Sequence, residues 1–118
     1  KFMKLKNKII FFDIDNTICK TVGSNYALSK PKKKMIKLIN ALYEENTIIF
    51  YTARYMGRYN SNKNKVLKKF NLTKTQLKKW NLNFHKLIMG KPRYDFFFDD
   101  KAFNTKDLLL KKLLKQYK

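Results

Sequence analysis

Negative charge is what this sequence lacks most: its 118 residues hold 8 Asp plus Glu against 28 Lys plus Arg, for a formal charge of +20. Cysteine is reduced to Cys19, which excludes an internal disulfide and a cysteine-rich zinc site and fits a reducing compartment. The lone histidine, His85, follows an Asn-rich turn and reads as a surface or packed residue, not a catalytic one. No apolar run approaches the roughly 20 residues that span a bilayer, and residues 1–8 scatter lysines where a leader would be apolar. A soluble, cytoplasmic chain without membrane contact is expected. No repeat or interdomain linker is visible, so residues 1–118 read as a single domain. A chain of this size buries roughly two thirds of its unfolded surface and needs no staple.

The excess of positive charge invites a nucleic-acid reading, because basic surfaces bind phosphate backbones by counterion release. Its composition argues against making that the leading function. Of the 28 basic residues 25 are lysine, and Arg54, Arg58 and Arg93 are the arginines, whereas phosphate-gripping sites favour the bidentate guanidinium. The lysines are spread along the whole chain, and with 12 Asn they look more like a compositional bias than a footprint. The acids carry more information. Asp13 with Asp15, and Asp99 with Asp100, each end a strand-like apolar run, while Glu44 and Glu45 merely follow a helical stretch.

Residues 8–12 (KIIFF), 47–51 (TIIFY) and 94–98 (YDFFF) are short apolar runs rich in branched and aromatic side chains, and 86–89 is a weaker fourth. Such runs are the pattern of strands buried on both faces. Residues 31–43 place Met35, Ile36, Leu38, Ile39, Leu42 and Tyr43 at helical spacing behind Pro31. Residues 73–80 read as a helix with Thr73 as cap and Gln76 at the capping-box spacing. Residues 54–64 read as an exposed loop, and the Leu-rich stretch 105–114 as a closing helix. Alternating strands and helices predict an α/β fold, a three-layer α/β/α sandwich around a parallel sheet of four or five strands. Ligands in such sheets bind beyond the carboxyl ends of the strands. Asp13, Thr52, Lys91 and Asp99 would all land on that edge.

Two carboxylates at i and i+2 on the loop leaving a buried strand can face one cavity if the loop turns. Like charges so close need a cation or a shared proton. With Asp99 and Asp100 added, either a hard oxygen-seeking cation binds there or the pairs are apart. Mg2+ is the natural candidate, since it takes one or two carboxylates with substrate phosphate and waters.

The ordered set Asp13-x-Asp15-x-Thr17 after a strand, Thr52 in IIFYTAR, Lys91 in MGKP and Asp99-Asp100 closing YDFFFDD resembles the haloacid dehalogenase-like phosphohydrolases, over residues 8–104. The stretch 87–104 also looks like small members of that family linked to capsule and surface-polysaccharide synthesis. The resemblance implies a Rossmann-like core. It further implies that Asp13 attacks phosphorus to form an aspartyl-phosphate and that Asp15 protonates the leaving oxygen and later activates water. Thr52 and Lys91 would hold the phosphoryl group, and Thr17 and Asn16 would order the loop beside the substrate. Asp99, one oxygen of Asp13 and the backbone carbonyl of Asp15 would hold Mg2+, with Asp100 supporting it directly or through water.

The stretches 18–51 and 53–90 leave no room for a cap domain, so an open site is expected, with Arg54 and Arg58 as candidate contacts to an anionic or hydroxyl-rich leaving group. The expected activity is hydrolysis of a small phosphorylated metabolite, such as a sugar or polyol phosphate. The alternative is a nucleic-acid-binding module or polynucleotide end phosphatase on the same fold. Each feature also has a plainer reading. On that reading Asp13 and Asp15 are a solvated turn, Thr52 is a helix cap, Asp100 starts a turn, and Arg54 and Arg58 are surface charges, with Cys19 a small packed side chain.

Overall fold

The computed structural model describes residues 4–117. Strands β1 (Ile9–Phe12), β4 (Thr47–Thr52) and β5 (Lys86–Met89) form a parallel sheet in the order β1-β4-β5. Between β1 and β4 lie a two-stranded antiparallel ribbon, β2 (Cys19–Lys20) with β3 (Lys30–Pro31), and helix α1 (Lys33–Tyr43). Helices α2 (Lys63–Leu67) and α3 (Phe70–Lys79) connect β4 to β5, and α4 (Leu108–Gln116) closes the chain. The result is a mixed α/β globule with a parallel sheet flanked by helices.

Register follows from burial. Ile10 pairs with Ile48 and Phe12 with Phe50, and Phe50 with Leu87 and Thr52 with Met89 on the other side. Paired residues of a parallel sheet share a face, so one face carries Ile48, Phe50, Leu87 and Met89, all buried. These join Leu38, Ile39, Leu42, Val66 and Leu77 in one core. The opposite face is thinly covered: Ile49, Tyr51 and Ile88 are half-buried, and Ile9 and Phe11 are 71% and 52% exposed. Full coverage of both faces, the three-layer expectation, is therefore not what this arrangement displays.

Helix α1 forms where the apolar spacing predicts, and buries Met35, Leu38, Ile39 and Leu42. Asn46 locks its end to the sheet: its side-chain amide donates to Leu42 and Leu5 carbonyls while its Oδ1 accepts from the Lys8 backbone. His85 is structural, as expected. It exchanges hydrogen bonds with Ile48 through its backbone N–H and its Nδ1, and its ring stacks on Tyr43.

Three expectations are corrected. The loop expected at 54–64 gives way to α2 at its end, where Asn62 caps the helix by accepting from the Lys65 backbone. The capping box at Thr73 is absent: α3 starts at Phe70, so Thr73 lies inside the helix and its hydroxyl donates back to the Lys69 carbonyl. Residues 94–98 form no strand. Every residue from 92 to 104 is exposed, with Phe96 at 83% and Phe98 at 93%. The aromatic pattern that favours a buried strand is not realised within the chain: the segment pairs with neither open edge of the sheet, that of β1 or that of β5. Among the described residues no helix is long and apolar enough to cross a membrane.

Candidate functional site

The chain leaves β1 at Asp13 and turns at once. Thr17 and Ile18 donate backbone hydrogen bonds to the Ile14 carbonyl, and Asn16 takes a positive φ of 63°. Asn16 belongs to the few residue types that tolerate this left-handed conformation. Its Oδ1 then accepts from the Thr21 backbone, tying the ribbon to the turn. The turn aims Asp13 and Asp15 to the same end of the sheet but into different surroundings.

Asp13 stays at the carboxyl edge, its side chain 39% exposed, with Lys91 Nζ 3.9 Å from Oδ1. Burial pushes the Asp13 carboxyl above its ordinary range, with Lys91 pulling the other way. Lys91 arrives there because its backbone N–H donates to the Thr52 carbonyl, carrying the chain from the end of β5 over the end of β4. Its ammonium also lies 5.8 Å and 5.4 Å from the Tyr51 and Tyr94 ring centroids. Thr52, buried beside it, accepts the Arg54 backbone N–H on Oγ1, and a hydroxyl that accepts still has one hydrogen to donate.

Asp15 is turned inward. Arg54, 2% exposed, grips both its oxygens, with Nε 2.9 Å from Oδ2 and the second guanidinium nitrogen, Nη2, 3.0 Å from Oδ1. The Thr21 hydroxyl adds a donor to Oδ1 at 2.5 Å and bonds Ser29 at 2.6 Å. The same guanidinium donates to Gln76 Oε1 at 2.6 Å, and Gln76 Nε2 donates to the Tyr26 carbonyl at 2.7 Å. Arg54 thus fastens the turn, the ribbon and α3 to one another. Its face lies 4.9 Å from the Tyr26 ring centroid, a cation–π contact that adds to the ion pair.

The structure therefore brings Asp13, Asp15, Thr52, Lys91, Arg54 and Asn16 to one edge, from segments far apart in sequence. Thr17 supports the turn through its backbone. Arg58 does not reach the edge as a free cation: it stacks over Tyr55 and Tyr26 and donates to the Ser24 carbonyl, holding the ribbon loop down. Asp99 and Asp100 are not brought in, and both are exposed in the irregular segment. Sequence reasoning missed Thr21, Ser29, Tyr26 and Gln76, which no spacing announces in a polar loop and a misplaced helix start. Cys19 is a buried neighbour of this network, and burial pushes its thiol up.

Within one chain the donors fall short of a magnesium site. Asp15 spends both side-chain oxygens on Arg54, which does not touch the backbone carbonyl expected to face the metal but leaves Asp13 as the available carboxylate. Among the described residues there is no group of three or more His, Cys, Asp or Glu that could hold a metal. A separate cleft of about 270 Å3 opens between the 3-10 turn at Tyr26–Leu28 and α3, lined by Tyr26, Arg54, Tyr55, Gln76, Lys79 and Trp80 among others.

No protein-family model and no curated protein matches the chain. Among solved structures it is similar to a structural-genomics target from Vibrio cholerae, with a TM-score of 0.77 and 23% identity over 94% of this chain and 99% of that one. At that identity the likeness shows the fold.

Proposed function

We propose that the chain is a phosphomonoester hydrolase of the haloacid dehalogenase-like type, with Asp13 as its nucleophile. The observation that carries this reading is the pairing of Asp13 with Lys91 at the carboxyl edge of a parallel sheet, 3.9 Å apart, beside the buried Thr52. A carboxylate facing a cation next to a hydroxyl donor is what phosphoryl transfer asks for, since that chemistry needs positioning and charge neutralisation above all.

An Asp13 oxygen forms a bond to phosphorus as the bond to the leaving oxygen breaks, and Lys91 and Thr52 neutralise and hold the phosphoryl oxygens. Water then attacks the aspartyl-phosphate, restoring the carboxylate and releasing phosphate. Asp15 serves as the proton carrier for both halves. It must first give up one Arg54 bond, and the Thr21 and Ser29 hydroxyls stand ready to rearrange with it.

The finer architecture belongs to the same reading: a three-layer sandwich completed by a strand of residues 94–98 that is not formed within the single chain, and that would bring Asp99 and Asp100 to Asp13. The half-open site, with no cap, suits a small phosphorylated metabolite such as a sugar or polyol phosphate. Nucleic acid is the lesser reading, because the lysines are spread along the whole chain and Arg54 and Arg58 are already engaged by Asp15 and by the Ser24 carbonyl.

Phosphate release from a panel of phosphomonoesters, with and without added Mg2+, tests the proposal. Wild-type protein is expected to turn over at least one, and Asp13→Asn none. Undiminished activity in Asp13→Asn would end it.

A further inference from the structure

Residues 92–104 run exposed for their whole length and carry Tyr94, Phe96, Phe97, Phe98 and Phe103, all exposed. Contiguous exposed apolar surface of this kind marks an interaction site. A second unsatisfied surface lies elsewhere: β1 and β5 each pair with β4 alone, so both outer edges offer unpaired backbone groups, and at β1 the large apolar side chains Ile9 and Phe11 are exposed as well, whereas Leu87 and Met89 of β5 are buried. An open edge bordered by apolar side chains is a template for one more strand.

The chain's own aromatic segment cannot fill that edge in the parallel sense. β5 and the open edge of β1 lie on opposite sides of the sheet. With residue 98 set beside Phe12, the register of the three strands places residue 94 about 14 Å across and about 20 Å back from the end of β5. Residues 90–93 are the available connection, and from Met89 to residue 94 the chain reaches at most about 18 Å. Parallel neighbours ordinarily need a crossover of about a dozen residues. An antiparallel fit would send Asp99 to the wrong end of the sheet. The direction of the chain agrees: Lys91 is anchored on Thr52, and the Arg93 guanidinium lies against Gly57, 3.5 Å from where a Cβ would stand.

We propose that residues 94–98 of each chain add as a parallel strand to the open edge of β1 in a second copy, reciprocally, and that this exchange delivers the partner's Asp99 and Asp100 to Asp13. The catalytic consequence rests on the phosphohydrolase reading, whereas the exchange itself does not.

Charge and area both fit a second copy. Two chains at +20 repel, yet residues 92–100 hold three of the 8 acids, so this is the stretch that can approach another copy. In a parallel alignment Asp95 comes beside the start of β1, where Lys4, Lys6 and Lys8 are exposed. The rings of residues 94 and 96–98 offer on the order of 500 Å2 per chain before Ile9 and Phe11 are counted, near the roughly 800 Å2 per partner of a stable interface. Alternation puts rings on both faces of the added strand, and those on the thin side cover Ile9 and Phe11. The exchange also supplies the second carboxylate that the single-chain site is short of.

Sedimentation equilibrium of the full chain at moderate salt tests the exchange without reference to activity. A dimer is expected, and Phe96→Asp/Phe98→Asp, whose rings are exposed in the single chain, should be monomeric with an unchanged far-ultraviolet dichroism spectrum. A wild-type monomer, an undiminished dimer in the double variant, or a monomer that binds oligonucleotide through these rings overturns the inference. Mixing inactive Asp13→Asn with inactive Asp99→Asn tests the shared site: after co-refolding, about a quarter of wild-type activity is expected, because half of the chains pair as mixed dimers carrying one intact site. No recovery from an active wild-type dimer overturns the sharing. A dimer without phosphatase activity instead refutes the functional reading and leaves the exchange standing.

Discussion

Replacing Arg54 with alanine removes the side chain on which the turn, the ribbon and α3 converge. Asp15, 21% exposed, would lose donors to both oxygens, and Gln76 would lose its partner at 2.6 Å. Breaking a buried pair by removing one partner costs about 3–5 kcal/mol. Because Asp15 keeps some contact with water, which screens and rehydrates the freed carboxylate, about 2–4 kcal/mol is the better expectation. For a chain of this length that is a fall in Tm on the order of 10 °C. The assay is urea unfolding followed by Trp80 fluorescence and by dichroism, with the midpoint shifted and the slope unchanged. In a cycle with Asp15→Asn, much of the loss should be shared, giving a coupling of at least about 1 kcal/mol. Arg58→Ala is the comparison: exposed, with cation–π contacts and one hydrogen bond but no ion pair, it should cost about 0.5–1 kcal/mol. If Arg54→Ala costs as little as Arg58→Ala, or if Arg54 and Asp15 act additively, the network is not what holds the ribbon.

Further expectations follow the same logic. The Asp13 carboxyl is pushed above its ordinary 3.8 by burial, so the stability it contributes is present below pH 3.8 and is lost as pH rises through its folded value. Asp13→Asn should therefore raise Tm at neutral pH relative to its effect in acid, and an equal or opposite change between the two conditions contradicts this. Asn62→Ala removes the cap of α2 and should cost about 1 kcal/mol in urea midpoint titrations. Phe50→Ala, at the centre of the sheet, should cost about 3–5 kcal/mol. A chain at +20 repels itself, so Tm should rise from low salt to about 0.5 M NaCl, where screening is nearly complete; a fall would mean that surface ion pairs dominate.

The three paired strands and α1 were legible in the sequence because their apolar periods are local and unbroken, and the convergence of Asp13, Thr52 and Lys91 followed from strand ends alone. What escaped is long-range or shared. The partner of Asp15 is chosen by how the ribbon folds back, and nothing in the order of Thr21, Ser29, Arg54 and Gln76 reveals that they meet. Gln76 sat at a capping-box spacing from Thr73, yet α3 begins a turn earlier and frees it to bind Arg54. Residues 94–98 read as a strand for a sound reason, their composition, but composition does not say which edge a strand joins or whether that edge lies in the same molecule.

The most direct measurement of the central claim is the fate of the phosphoryl group. Acid-quenching the wild-type protein during turnover of a phosphomonoester, then mapping peptides by mass, should find one phosphoryl group on Asp13, labile to hydroxylamine and absent from Asp13→Asn. Phosphate release with no phosphoryl group on Asp13, or with the group on another side chain, would contradict the account.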